Sequence, residues 1–239
     1  MKTSIICILS LFSSIITFGQ NQKTGEQITC TPPKFMGIKS TIPIIDEKSP
    51  TIENYLRKNV TYPERAKEHL EQGTEVVKFI VTPNGEVANI EVINSVSREI
   101  DEEVIRTLIT TNGMWKPGNN NGVAGEMEKE VSVVFRLEDS NFSFYDLGRK
   151  YFANGAKMLL IHQSPKKALK YFDKGIMLLP NETGMLALRG LSRFELGDKN
   201  GALQDWTRIK NLGGLEGDEF KEIYIDMKGY AEMNSILGK

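Results

Sequence analysis

The sequence predicts an α+β protein, in which a small three-stranded antiparallel sheet with helices on one face precedes an all-helical region. Three observations carry this prediction. Apolar and polar residues alternate in two stretches of the first half, which is the period of a half-buried strand. Between those stretches, apolar residues recur at helical spacing. After residue 137 the alternation stops, and the chain repeats its own pattern at a shift of 34 residues.

The first two strands are predicted in TEVVKFIVTPNGEVANIEV, residues 74–92. Asn84-Gly85 is a strong hairpin signal, because Asn and Gly accept the positive φ angles that a tight two-residue turn requires. The alternation breaks in the second strand, which leaves either a bulge or a twist open there. The third strand is predicted in EKEVSVVFRL, residues 128–137.

Helices are predicted before and after this hairpin. Residues 51–73 contain two short helical segments that break at Tyr62-Pro63. After the hairpin, Ile100, Val104 and Leu108 recur at helical spacing. The carboxylates in the first turn of that helix are interpreted as partners of the helix dipole, with an acid/base site as the lesser alternative.

The loop MWKPGNNNG, residues 114–122, follows this helix. Trp115 is predicted to fold back over the sheet and close the core, with a binding role as the alternative. Lys116 and Pro117 come next, and Pro117 ends the helical course. Gly118 is expected to permit the reversal before the last strand.

The second half of the chain predicts paired helices. A 34-residue period with small and aromatic residues in matching places is typical of helical hairpin repeats. RGLSRFELGDKNGALQDW and SPKKALKYFDKGIMLLP resemble the tetratricopeptide repeat, and residues 218–234 are expected to form a closing helix. The repeat phasing places Lys150, Lys157, Leu191 and Phe194 on a concave face that holds a partner, or on ordinary helix surface. The aligned pairs are Phe152 with Leu186, Ala156 with Gly190, Ala168 with Ala202, and Phe172 with Trp206.

The N-terminus resembles a secretory signal. Lys2 precedes the apolar run SIICILSLFSSIITF, which is shorter than the roughly 20 residues that a membrane-spanning helix needs. Cleavage is expected near Gly19 or Gln20, so residues 1–20 are excluded from the fold and 21–50 form a leader. The expected location is periplasmic or secreted, and an uncleaved inner-membrane anchor is the alternative.

Composition argues against catalysis. The formal net charge of −1 gives no indication of a nucleic-acid partner. The two histidines, His69 and His162, lie far apart in sequence, and Cys30 is the lone thiol after the signal. No nucleophile–base set, metal-ligand set or phosphate-binding glycine loop is evident, so we expect no enzyme, no metal and no cofactor.

Several motifs together resemble the C-terminal domain of TonB-type energy transducers, in the form common among Bacteroidetes envelope proteins. The resemblance covers roughly residues 32–137. Its elements, in chain order, are Pro33-x-Phe35-x-Gly37, Tyr62-Pro63-x-x-Ala66, the alternation after Gly73, Asn84-Gly85, Asp101-x-Glu103, Trp115-Lys116-Pro117-Gly118 and a final Val-x-Phe-Arg-Leu.

This resemblance implies that the last strand is an edge that captures an extended peptide of an outer-membrane transporter. The implied partner-binding residues are Val131, Ser132, Val133, Val134, Phe135, Arg136 and Leu137. Tyr62-Pro63 corresponds to a family segment near the partner surface, or else packs on the core. We therefore expect residues 51–138 to bind envelope proteins, with the membrane reached only through partners or an uncleaved N-terminus.

Two alternatives remain at this stage. Residues 141–239 are assigned to the repeats with their closing helix, and these repeats alone would make the protein a periplasmic scaffold or assembly factor. An uncleaved N-terminus would instead make it a full energy transducer.

Overall fold

A computed structural model describes residues 4–6, 29–37, 50–138, 140–215 and 224–238. The chain divides into two compact units, Met1–Asp139 and Ser140–Lys239. The first is a mixed α+β unit and the second is helical, which confirms the predicted fold class.

The first unit contains short and long strands. They are β1 (Ser4–Ile6), β2 (Cys30–Thr31), β3 (Lys34–Phe35), β4 (Gly73–Val81), β5 (Val87–Asn94), β6 (Trp115–Lys116), β7 (Gly118–Asn120), β8 (Val123–Gly125) and β9 (Met127–Arg136). The main sheet has the order β1-β9-β4-β5 and is antiparallel throughout. The three predicted strands are therefore neighbours, but the sheet has a fourth strand from the segment assigned to the signal.

Three helices cover one face of this sheet. They are α1 (Ile52–Asn59), α2 (Glu64–Glu68) and α3 (Arg98–Ile109). Thr51 begins α1, because its hydroxyl accepts the Asn54 N–H. Odd-numbered apolar residues of β4 and β9 pack against the helices, as their period-2 pattern requires. The buried core of this unit includes Leu56, Val77, Phe79, Val104, Leu108, Val133 and Phe135.

Packing begins upstream of the predicted boundary at residue 51. β3 pairs with β6, and the pairing sets Phe35 opposite Trp115. Phe35 is buried, and its ring lies edge-to-face on Trp115 at 5.1 Å and on Tyr55 at 5.4 Å. Part of the expected leader is thus a component of the core, since an aromatic side chain at residue 35 fills the space between α1 and the tryptophan.

The predicted hairpin forms, but its turn differs from the expected one. Gly85 has a φ of +76°, whereas Asn84 is not among the described residues with positive φ. The Gly85 N–H donates to the Thr82 carbonyl at 2.9 Å. Because the ring of Pro83 imposes a negative φ at the second position of the turn, the reversal spreads over four residues and ends on a left-handed glycine.

The second unit is helical in its described residues, and short turns join its first four helices. Its described helices are α4 (Phe144–Ala156), α5 (Pro165–Leu178), α6 (Thr183–Glu195), α7 (Lys199–Asn211) and α8 (Tyr230–Leu237). A single π-helical turn, Lys157–Ile161, continues α4. The predicted closing helix overlaps α8 only in part, and residues 216–223 lie outside the described residues.

The two hairpins of this unit contain the same glycine–aromatic contact, but the glycine lies one residue away from the position that the 34-residue alignment gives. A Cβ at Gly155 would overlap the Phe172 ring, and a Cβ at Gly190 would overlap the Trp206 indole. Gly155, not Ala156, is therefore the counterpart of Gly190, which corrects the alignment made from sequence. The first hairpin has one more residue before its turn, and the π turn is where a helix accommodates a single insertion.

Candidate functional site

The strand β9 is the outermost long strand on one side of the main sheet, with the three-residue β1 beyond it. Its ladder with β4 runs without a register shift from Gly73 opposite Phe135 to Val81 opposite Met127. The strand predicted at residues 128–137 therefore begins and ends one residue earlier in the structure, at Met127 and Arg136. Leu137 lies just past the strand, where its N–H donates to Gln72 Oε1 at 2.9 Å.

The side chains of the predicted partner-binding residues lie on two different faces of the sheet. Val131, Val133 and Phe135 point into the core beneath the helices. Ser132 and Val134 lie on the opposite face and are also buried, and Arg136 is half-buried. A partner that meets this strand would therefore contact mainly backbone groups, which is the mode of strand addition.

The outer side of β9 already carries a strand from the same chain. β1 pairs antiparallel there, with Ile5 opposite Phe135 and Ile6 opposite Val134. In the full chain, residues 4–6 of the segment assigned to the signal thus pair with the sheet. Among the described strands, β1 is the only neighbour of β9 on this side, and it spans only the last part of the strand.

The opposite border of the sheet, β5, is irregular. Its register with β4 shifts twice, between Val76 and Val77 and between Lys78 and Ile80, with an extra residue on β5 each time. Asn89 within it has a φ of +48°, a left-handed conformation that Asn tolerates better than most residues. The break in alternation is therefore a pair of bulges, which protect an edge from pairing.

Tyr62 supports β9 from below. Only 1% of its surface is exposed, its ring lies edge-to-face on Phe135 at 5.3 Å, and its hydroxyl donates to the Glu71 carbonyl. Burial raises the pKa of Tyr62 to about 12. Pro63 precedes α2 in an extended conformation. Tyr62 is thus a buried part of the core that packs against β9.

The segment before Tyr62 is held by α3. Glu103 Oε1 accepts the Thr61 N–H at 2.6 Å and the Arg106 Nη2–H at 2.8 Å. These hydrogen bonds stabilise the carboxylate and hold the pKa of Glu103 below its usual value, against its partial burial. The Asp-x-Glu motif therefore includes a positioning residue for the Tyr-Pro segment.

Trp115 links the hairpin turn to the core. Its indole lies on Phe79 at 5.4 Å, and its Nε1–H donates to Thr111 Oγ1 at 3.0 Å. A Cβ at Gly85 would overlap the Trp115 carbonyl oxygen, so the turn approaches the tryptophan backbone closely.

The residues after Trp115 form short strands, whereas the sequence predicted only a chain reversal there. Lys116 is exposed in β6, and Pro117 separates β6 from β7. Gly118 is buried and pairs with Gly125, and a Cβ there would overlap the side chain of Met127. Gly118 is thus required for close packing against the start of β9.

A buried carboxyl group lies on β4 opposite Val133. Glu75 is fully buried, its Oε2 accepts the Val96 N–H at 2.9 Å, and its Oε1 has no hydrogen-bond partner among the described residues. Burial, assisted by the charge of Asp101, raises the pKa of Glu75 to about 9. Alternation places Glu75 on the same face as Val77 and Phe79, but its carboxyl was not singled out from the sequence.

The repeat-groove residues are not brought together as an open face. Leu191 is completely buried, and Phe194 is half-buried against Trp206 at 5.8 Å. Lys150 and Lys157 are exposed. The concave-face interpretation thus fails for Leu191, because its side chain is part of the unit's core.

The described residues contain no group of three or more His, Cys, Asp and Glu that could hold a metal ion. Within the same residues, no helix is long and apolar enough to span a membrane.

Part of the first unit matches a known protein family. Residues 58–137 match the family described as Gram-negative bacterial TonB protein C-terminal. The match includes Tyr62, Trp115 and all of β4, β5 and β9. No curated protein matches the chain. Residues 58–137 are thus similar to a TonB C-terminal domain, which indicates a TonB-like role in protein interaction at the cell envelope.

Proposed function

We propose that the first unit binds an extended peptide of an outer-membrane transporter, or of a related envelope protein, by adding it as a strand to β9. The observation that carries this proposal is the pairing of β1 with β9, in which an extended segment already lies on that edge. The family match supports a protein partner at the envelope.

The sheet favours β9 over β5 as the site of addition. Strand addition requires successive N–H and C=O groups in a straight row, and β9 keeps one register with β4 along its length. β5 is interrupted by two bulges. Main-chain hydrogen bonds then supply affinity, and side chains that flank the added strand supply selectivity.

Trp115 and Tyr62 contribute indirectly. Each is buried beneath the sheet, and each contacts a phenylalanine of β4 or β9. They hold the two strands in a fixed geometry, so that the edge is formed before the peptide arrives. A preformed edge lowers the ordering cost of binding.

The proposal includes processing at the N-terminus. Removal of residues 1–20 near Gly19 or Gln20 would place the chain in the periplasm and take β1 away from β9. We therefore expect the processed chain to bind peptides more tightly than the unprocessed one. N-terminal sequencing of the protein from cells tests the processing step, and an intact Met1 end would favour the anchored transducer.

The binding mode is tested with methylated peptides. Peptides copied from the periplasmic ends of the host's outer-membrane transporters are made with backbone N-methyl groups at alternate residues. In strand addition every second peptide N–H points to β9. Methylation of one set should abolish binding, whereas methylation of the other set should leave it nearly unchanged, as measured by fluorescence anisotropy.

The two methylated sets carry the same side chains, so each is the control for the other. Equal binding of both sets, together with binding of the unmodified peptide, would contradict strand addition. That outcome would favour the alternative in which the helical unit acts as the scaffold.

A further inference from the structure

Positive charge is concentrated in the first helical hairpin. Residues 147–172 contain six Lys and Arg and no Asp or Glu, while the rest of the chain contains twenty-four Lys and Arg against 31 Asp and Glu. The chain as a whole has a net charge of −1. The hairpin is thus strongly cationic on an otherwise acidic protein, which makes an anionic partner the expected one.

The turn of this hairpin exposes aliphatic side chains. Ile161 is 70% exposed and Leu160 is 37% exposed, and both belong to the π turn that ends the α4 segment. Leu159 beside them is buried in the core. The extra residue that the π turn accommodates displaces this end of the helix from regular α-helical phase. We define residues 157–167 as the hairpin tip.

Three lysines flank this aliphatic pair in the sequence. Lys157, Lys166 and Lys167 are exposed, and none of them forms an ion pair with a described carboxylate. The cations of α6 behave differently, because Arg189 and Arg193 bind the buried Asp205 at 2.6 Å and 2.9 Å. The charges at the hairpin tip are therefore available to an external partner.

The backbone of the hairpin tip is fixed by local hydrogen bonds. The His162 N–H donates to the Lys157 carbonyl at 3.2 Å, and the Ser164 N–H donates to the Met158 carbonyl at 2.9 Å. Gln163 closes the turn with a φ of +46°. The aliphatic side chains are thus held outward by a formed turn.

We propose that the hairpin tip docks on the surface of a bilayer that contains anionic phospholipids. A lipid surface offers an anionic headgroup layer directly above hydrocarbon, which suits lysines placed around exposed aliphatic groups. Lysine side chains can extend to the headgroups while their methylene stems lie along the apolar region. An acidic protein segment would satisfy the lysines but would leave Leu160 and Ile161 in water.

The location of docking is tested with tryptophan as a reporter. Ile161→Trp is prepared in the full chain and mixed with vesicles of phosphatidylglycerol and phosphatidylcholine whose acyl chains are brominated. Bromine quenches an indole that reaches the hydrocarbon. Trp115 and Trp206 are buried in the protein and supply a constant background. We expect quenching of Ile161→Trp and none of Leu203→Trp, which places the reporter on the second hairpin.

The charge requirement is tested by cosedimentation with the same lipids without bromine. Lys166→Glu combined with Lys167→Glu should weaken binding about 30-fold or more, since each lysine near an anionic surface contributes about fivefold. Lys210→Glu with Lys228→Glu is the matched control and should have a much smaller effect. Binding should also weaken as salt is raised.

Three outcomes would overturn the proposal. The first is vesicle binding without quenching of Ile161→Trp, which would assign the binding to residues 4–18 or another segment. The second is equal binding to pure phosphatidylcholine. The third is an absence of vesicle binding together with binding of polyglutamate, which would assign the hairpin tip to an acidic protein partner.

Discussion

The two outermost long strands of the main sheet, β9 and β5, are here called its borders, and they differ in backbone regularity. β9 keeps one register with β4 over its whole length, whereas β5 carries two extra residues and a left-handed Asn89. The break in alternation within β5 is the sequence sign of this difference. The comparison shows that bulges protect one border from pairing, while the other border is left straight enough to accept a strand.

The largest loss of stability is expected when the aromatic support beneath the sheet is removed. Trp115→Ala should lower the free energy of unfolding of the first unit by about 3–5 kcal/mol, because the lost indole leaves a cavity against Phe79 and Phe35. Urea unfolding followed by circular dichroism measures it. Trp115→Phe keeps an aromatic ring and should cost less. Equal stability of Trp115→Ala and the wild type would show that the indole does not stabilise the core.

The second prediction concerns pH and the buried Glu75. Its folded-state pKa is raised from 4.5 to about 9, so the folded state holds a proton that the unfolded state releases. The stability associated with this group is therefore complete below pH 4.5 and is lost as pH rises toward 9. The free energy of unfolding should therefore fall steadily with pH across this window.

The amide variant isolates this effect. Glu75→Gln cannot ionise and should flatten the fall in stability between these pH values, as measured by urea unfolding at a series of pH values. Glu68→Gln removes an exposed carboxylate and should follow the wild type. An unchanged pH profile in Glu75→Gln would show that another group is responsible.

A smaller effect is expected at the bulge that protects β5. Asn89→Ala should cost about 1 kcal/mol, because a Cβ without a side-chain amide is less tolerant of the left-handed conformation. Asn89→Gly should be close to neutral. Peptide binding at β9 should be the same in both variants. Reduced peptide affinity in Asn89→Ala at full folding would indicate that β5 takes part in binding.

The smallest effect is expected for the ion pairs that cross the sheet between the borders. Lys78 lies 3.0 Å from Glu91 on β5 and 3.6 Å from Glu128 on β9. Lys78→Gln should lower stability by about 0.5 kcal/mol at low salt, and the difference should vanish at high salt. A difference that persists at high salt would assign the loss to packing of the lysine stem.

Much of the first unit follows from its sequence because its signals are local. Period-2 alternation predicted β4, β5 and β9, and helical spacing predicted α3. Features that depend on distant partners were missed. The boundary at residue 51 left Phe35 in the leader, although it pairs through β3 with β6, and alternation alone did not reveal that the Glu75 carboxyl lies against the Val96 N–H.

The errors in the candidate site and the repeats also come from features that the expected local patterns do not report. Pro83 changed the hairpin turn through its own ring, which the Asn-Gly signal alone did not reveal. A 34-residue shift cannot detect an inserted residue that a π turn accommodates, so Ala156 was aligned in place of Gly155. The pairing of residues 4–6 with β9 lacks a local pattern, since the segment resembles a signal.

The most direct test of the proposed function is hydrogen exchange on the protein with and without a transporter-derived peptide. We predict slower exchange in Met127–Arg136 on addition of the peptide and unchanged exchange in Val87–Asn94. This result would establish that the straight border accepts the partner and the bulged border does not. Equal slowing at both borders, or slowing confined to residues 144–211, would contradict the account.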